Sequence, residues 1–351
     1  MFSFDFDLED NIHESTKGVA AAPPAPQSEP VVELPLSHLL DSLPSRISYS
    51  PVLIPLSSGK SVTLSRRDLF DARFQLISEG TDDTDAAPGL DFLDAPSDLV
   101  PGVYEGGLKT WECSLDLVGY LASLPDSSET RLSGKRILEI GCGTGIPSVF
   151  LLSRLFCEQS NVNCHVHLQD YNSSVLELIT FPNIILAWYM SPSSAEYRIR
   201  RHYRASEDDV EYPPPDPAVA GELSITPVLK NAFTASVAKL GIDLAFFSGS
   251  WDSFATRLRS EGTKYDMVLT SETIYRTDSL PALIQLLYQA CSAKDVLCLV
   301  AAKVLYFGVG GGVSEFTRAL QSNALECCGR AETVWERKLG VDREIMRIHW
   351  V

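Results

Sequence analysis

At 351 residues, 45% of them hydrophobic, the chain can bury one large core or a core plus a smaller subdomain. Its net charge of −17 argues against broad nucleic-acid binding, which rests on neutralising phosphates with Lys and Arg, and suits either a plain solvated acidic surface or a basic protein partner. No apolar run approaches the ~20 residues needed to span a bilayer.

Residues 1–35 begin acidic (MFSFDFDLEDNIHE) and turn Ala/Pro-rich, the composition of a disordered tail. The start lacks the basic-then-apolar layout of a secretory leader, and the eight cysteines form no C-x-x-C pair; reduced thiols in a reducing compartment are expected. From 36 to 102 the signals are short (HLLDSL, Ser48–Leu56, Lys60–Leu64, Asp68–Ile77) and read as an extension that packs on the core. The core is expected over 103–351. Apolar spacing predicts a helix over Trp111–Leu124. Strands then alternate with helices: strand Lys135–Gly141, a helix from Pro147, strand Cys164–Gln169, a helix from Ser173, strands Asp243–Phe247 and Tyr265–Thr270, helix Leu280–Cys291, strand Val296–Lys303 and helix Val313–Cys328. Their Val/Ile/Leu-rich runs suit a parallel sheet buried on both faces, the mark of an α/β fold. Val334–Leu339 and Glu344–Val351 read as an antiparallel hairpin around Gly340. Segment 191–222 carries a basic patch from Arg198 to Arg204, an acidic cluster and three prolines, and reads as a surface insertion.

The motifs fall at the carboxyl ends of these strands, where open α/β sheets bind ligands. Glu139 and the alternating Gly141, Gly143 and Gly145 mark a strand-to-helix turn where the backbone can pass closely beneath a nucleoside-bearing ligand. Gln169, Asp170 and Tyr171 end the second core strand; an acidic group there can accept ribose hydroxyls, although a helix cap by Asn172 or Ser173 accounts for part of the stretch. Gly249, Ser250 and Trp251 end the third, either as a platform for adenine or as an ordinary turn with a packed Trp. Ser271, Glu272 and Tyr275 end the fourth; a carboxylate and a phenol can grip a planar or cationic nucleophile, or the stretch caps a helix. Phe307, Gly308 and Gly310, in a run with four glycines in five positions after the fifth strand, suit an acceptor-channel wall or a lid. His165 and His167 share one face of a strand with no matching carboxylate or cysteine pair, so no metal is expected.

Together KTWECS (109–114), LEIGCGTG (138–145), LQDYN (168–172), FFSGSW (246–251), LTSETIY (269–275) and YFGVGGG (306–312) resemble the protein-histidine methyltransferase family of eukaryotes, which is related to the family 16 lysine methyltransferases. The resemblance covers about residues 103–351. It implies a Rossmann-like seven-β-strand fold, S-adenosyl-L-methionine as cofactor, and transfer of a methyl group to a histidine imidazole of a large-subunit ribosomal protein of the L-three type, in cytoplasm and nucleus. A monomer without direct nucleic-acid or membrane binding is expected. Cofactor contacts carried over by motif fall on Thr110, Trp111, Glu112, Cys113 and Ser114, on Gly141, on Gln169 to Tyr171, on Gly249 to Trp251 and on Ser271. Glu272 and Tyr275 become the acceptor-site candidates, and Ser250 stands where the family leads one to expect an acidic residue. A lysine methyltransferase of the same fold and a non-catalytic, cofactor-binding ribosome-assembly scaffold remain as alternatives.

Overall fold

The computed structural model describes residues 29–79, 99–100, 104–203, 215–291, 296–322 and 327–350. In chain order the elements are β1 (Val32–Leu34), α1 (Leu36–Asp41), β2 (Arg46–Pro55), β3 (Ser61–Arg67), α2 (Leu69–Glu79), β4 (Leu99–Val100), β5 (Tyr104–Glu105), α3 (Glu112–Ser123), β6 (Arg136–Ile140), α4 (Ile146–Leu155), β7 (Cys164–Asp170), α5 (Ser173–Tyr189), α6 (Ala195–Tyr203), β8 (Gly221–Ser224), α7 (Pro227–Leu240), β9 (Ile242–Ser248), α8 (Trp251–Glu261), β10 (Met267–Ser271), α9 (Leu280–Ala290), β11 (Leu297–Lys303), α10 (Val313–Leu320), β12 (Gly329–Arg337) and β13 (Arg343–Trp350). Among the described residues no single helix is long and apolar enough to cross a membrane.

The main sheet runs β1-β9-β7-β6-β10-β11-β13-β12. Strands β9, β7, β6, β10 and β11 are parallel, and the β12–β13 hairpin adds antiparallel at one edge. This is the expected seven-strand α/β sheet with an eighth strand at the other edge. The chain leaves β6 toward β7 on one side and returns to β10 on the other, so the strand order reverses between β6 and β10. That switch point is where such sheets open a crevice for ligands.

Pleating sorts the side chains of β6. Ile137 packs with α3, α4 and α5, whereas Leu138 and Ile140 pack with α8 and α9 on the opposite face. Glu139 shares the parity of Ile137, which decides its role below.

Four expectations change. The tail was expected to reach residue 35, but Val32–Leu34 pairs antiparallel with Phe246–Ser248, because β9 would otherwise leave its outer hydrogen-bonding groups unpaired; the tail up to 28 lies outside the described residues. Segment 191–222 is integral at both ends rather than a surface loop: Ser191, Ser194 and Tyr197 are buried, and β8 pairs with β2 in a sheet ordered β3-β2-β8. The last helix stops at Leu320, where Gln321 and Ser322 follow the final buried apolar residue, and Cys327–Cys328 lead into β12 instead. Helices α7 and α8 fill spans left unassigned before and after the third core strand.

The extension is tied to the glycine turn through α5. Buried Arg67 donates from Nε to Asp71 at 2.7 Å and from a terminal nitrogen to the Leu178 carbonyl at 2.7 Å. Its backbone N–H reaches Asn183 Oδ1, and the same amide donates from Nδ2 to the Thr144 carbonyl at 2.9 Å. A π-helical turn over Leu176–Thr180 aims Thr180 Oγ1 at the Gly143 carbonyl at 2.6 Å. Such turns often mark functional sites, and here one steadies the loop at the switch point.

Candidate active site at the sheet switch point

A cleft of about 490 Å³ lies over the carboxyl ends of β6, β7, β10 and β11. Its floor is the turn Gly141–Thr144. Gly141 has φ +58°, and a Cβ there would stand 2.6 Å from Thr273 Cγ2, so only glycine fits the turn against the loop after β10. The Asp170 carboxylate is fixed beside this floor, accepting the Gly143 N–H at 2.8 Å through Oδ2 and the Asn172 N–H at 3.2 Å through Oδ1.

The sequence candidates divide in space. Trp111, Ser114, Gly141, Gly143, Asp170, Tyr171, Ser250, Trp251, Ser271, Glu272 and Tyr275 line the cleft. Thr110, Glu112, Cys113, Glu139, Gly145, Gln169 and Gly249 do not line it. Thr110 Oγ1 donates to Thr144 Oγ1 at 3.2 Å, and Glu112 pairs with Lys303. Gln169 ties two turns together, accepting the Gly141 N–H and donating to the Gly249 carbonyl. Gly145 caps α4 in the left-handed region, with Thr180 at 2.9 Å from where a Cβ would be. Gly249 passes so close to Pro30 that a Cβ would stand 2.4 Å from its carbonyl oxygen. Ser250 caps α8 through the Ser253 N–H and donates to the Glu29 carbonyl, which explains a hydroxyl where an acid was expected. Phe307 is 81% exposed, and neither it nor Gly308 nor Gly310 lines the cleft; their neighbours Tyr306 and Val309 do.

Glu139 turns away from the cleft and under α4, as its strand parity demands. One carboxylate oxygen accepts the Ser148 N–H at 2.8 Å, satisfying a helix N-terminus. Burial pushes its pKa up to about 7, against the hydrogen bond from Ser148, which lowers it. The sign follows: an unfolded carboxyl ionises near 4.5 while the folded one holds its proton until about 7, so stability falls as pH rises across that window. Glu139→Gln removes the penalty. We expect it to raise stability at pH 8 by about 2 kcal/mol more than at pH 5, read from denaturant midpoints at the two pH values.

A polar cluster surrounds Glu272. Its φ is +59°, a conformation that costs a non-glycine residue about 1 kcal/mol, and its N–H is held by the Ala301 carbonyl of β11. Strain of this kind concentrates at functional sites. Tyr306 donates its hydroxyl hydrogen to Glu272 Oε2 at 2.7 Å, and the Cys113 N–H approaches Oε1 at 3.4 Å from the first turn of α3. The carboxylate thus faces the positive end of a helix dipole. Lys303 Nζ lies 3.7 Å from Oε1, 3.4 Å from Glu112 Oε2 and 4.7 Å above the Trp111 ring. Burial, followed by the neighbouring Glu272 charge, raises the pKa of Tyr306 well above the usual phenol value, so it serves as a hydrogen-bond donor. Tyr275 packs edge-on to Tyr306 with ring centroids 6.4 Å apart.

Lys303 escaped the motif reading. Its only signal was its place as the last residue of a core strand next to the one carrying Glu272. Tyr306 lay inside a quoted motif but was passed over for its flexible-looking neighbours.

The two histidines find a carboxylate after all. His165 Nδ1 lies 2.8 Å from Asp243 Oδ2, and His167 Nε2 lies 3.6 Å from the same oxygen. His167 also contacts the Tyr265 hydroxyl at 2.9 Å, and its pKa is lowered chiefly by burial. Asp243 is half exposed and Arg136 adds positive charge beside His167, so the cluster reads as a cross-strand polar network.

The main cleft fits S-adenosylmethionine. Gly141 and Gly143 form its floor, Asp170 supplies an anchored carboxylate, and Trp251 supplies a ring after β9. No family model matches the chain. It is 33% identical over 96% of its length to histidine protein methyltransferase 1 of Schizosaccharomyces pombe, covering 93% of that protein. It is 36% identical over 80% of its length to histidine protein methyltransferase 1 of Saccharomyces cerevisiae, covering 74% of it. Among solved structures, the ribosomal-RNA methyltransferase AviRa of Streptomyces viridochromogenes aligns over 70% of this chain and 86% of its own, with 17% identity and a TM-score of 0.35.

Proposed function

We propose a reaction for this chain, which belongs to the histidine protein methyltransferase family: it transfers a methyl group from S-adenosylmethionine to an imidazole nitrogen of a histidine in a partner protein. One observation carries the proposal. The Glu272 carboxylate is held at the sheet switch point, in the same cleft as the glycine turn and Asp170.

When bound, S-adenosylmethionine supplies a sulfonium-activated methyl group whose C–S bond breaks as the N–C bond forms. The residues that would hold it are Gly141 and Gly143 beneath it, Asp170 for the ribose hydroxyls, Trp251 for the adenine, and Trp111 with Ser114 toward the methionine end. Glu272 accepts the N–H of the incoming imidazole through a lone pair not used by Tyr306 or Cys113. The other ring nitrogen then presents its lone pair. A histidine needs no base to become a nucleophile, since its reference pKa of ~6.5 leaves it mostly neutral at pH 7. Glu272 also orients the proton that leaves the methylated ring for solvent. Tyr275 and Tyr306 wall the ring in, so that much of the rate comes from positioning.

The acceptor we propose is a basic segment of a large-subunit ribosomal protein of the L-three type, met by a monomer in cytoplasm and nucleus. The net charge of −17 and the acidic residues Glu29, Asp252 and Asp278 around the cleft support a basic partner. The test is residue-level mass spectrometry after incubation with labelled S-adenosylmethionine and ribosomal proteins from the same source. Methyl-histidine on one large-subunit protein is expected. Methyl-lysine alone, or no transfer to any of them, would remove this reading.

A further inference from the structure

Resting on that reading, we propose that Lys303 sets the acceptor preference, making the site accept a neutral imidazole and refuse a lysine side chain. Lys303 ends β11 with its side chain only 16% exposed, wedged between the carboxylates of Glu112 and Glu272 and over the Trp111 ring. Its ammonium therefore shares the Glu272 carboxylate, to which the acceptor imidazole is assigned above. The backbone holds it there: its own N–H donates to the Tyr306 hydroxyl at 3.2 Å, and that hydroxyl donates onward to Glu272.

A lysine acceptor arrives as an ammonium, with a reference pKa of ~10.4, and must lose a proton before it can attack. Both needs fail here. A second cation at Glu272 would have to sit beside the Lys303 ammonium, which already lies 3.7 Å from Oε1. The carboxylate that would take the proton already accepts the Tyr306 hydroxyl at 2.7 Å and the Cys113 N–H at 3.4 Å, with the Lys303 ammonium 3.7 Å from Oε1. A neutral imidazole asks less, because it brings one N–H and requires a single lone pair. Two ammonium groups within about 5 Å of each other at a half-wet site would bias binding by roughly a hundredfold against lysine.

The test uses the recombinant L-three-type ribosomal protein from the same source and a version whose accepting histidine is replaced by lysine. The unaltered enzyme should methylate the first and leave the second unmodified. Lys303→Met keeps the side-chain volume and removes the charge. It should raise the lysine-to-histidine ratio of kcat/KM at least ~30-fold, with S-adenosylhomocysteine affinity by calorimetry unchanged. Lys303→Arg keeps the charge and should retain the preference for histidine. An unchanged ratio in Lys303→Met, or an equal opening to lysine in Lys303→Arg, would overturn the proposal. Lys303→Gln replaces Lys303→Met, under the same criterion, if the latter does not fold. Failure of the unaltered enzyme to methylate the histidine protein would instead count against the proposed reaction itself.

Discussion

Replacing Glu272 with Gln should lower kcat by about two to three orders of magnitude while leaving S-adenosylhomocysteine affinity within about threefold. The two effects separate because Glu272 follows β10 on the proposed acceptor side, while the cofactor candidates Gly143 and Asp170 bond to each other across the turn. The carboxylate receives the Tyr306 hydroxyl at one oxygen and the Cys113 N–H at the other. An amide has one oxygen and one NH2, so one of these donors must face another donor. Leaving a buried donor unmatched costs about 1–3 kcal/mol, and the amide offers the imidazole N–H a weaker acceptor. Lys303 also loses half of its counter-charge. Single-turnover kinetics with labelled cofactor, paired with calorimetry, would separate binding from chemistry. A kcat within threefold of the parent would exclude Glu272 from the acceptor step.

Gly311→Ala should be nearly as damaging, for a purely steric reason. A Cβ at this position would stand 2.3 Å from both the carbonyl carbon and oxygen of Tyr275, and 2.4 Å from the Ile274 oxygen. These are backbone atoms, and the Gly311 N–H itself donates to the Tyr275 carbonyl at 3.0 Å. The 304–312 loop must therefore separate from the segment that carries Tyr275, pulling Tyr306 away from Glu272 as it goes. A misplacement of about 1 Å costs on the order of a hundredfold where catalysis depends on positioning, and we expect kcat/KM for the acceptor to fall by that much. Gly308→Ala and Gly310→Ala provide the contrast. Both have positive φ (78° and 87°) but open space around the Cβ position, so they carry backbone strain of about 1 kcal/mol and no collision. Equal losses in all three variants would show that loop strain, rather than the Tyr275 contact, controls activity.

Much of the core was legible because its signals are local. Each buried parallel strand announces itself as a short apolar run, and its ends came within a residue or two. Gly141 was legible too, since a left-handed turn against Thr273 has one residue type that fits it. The elements that went unread depend on partners far along the chain. Three residues at 32–34 carry no periodicity of their own and become a strand because β9 offers a free edge. Gly221–Ser224 is a strand because β2 is there to pair with it.

Within the cleft the same division holds. The order of motifs along the chain determined the fold, the cofactor class and the end of the sheet where chemistry sits, because consecutive strand-to-helix turns must gather at one edge of a parallel sheet. By sequence, Glu139 is a cofactor candidate and Glu272 an acceptor-site candidate, both at strand ends. Tertiary structure sends the first beneath α4 to cap Ser148 and the second into the cleft, since pleat parity and a left-handed φ, rather than residue type, fix where each carboxylate points. It also brings Lys303 and Tyr306 to Glu272 across more than thirty residues and adds the N–H of Cys113 from 159 residues away. Contacts of that range are set by how strands order themselves in the sheet, which no local pattern of side chains encodes.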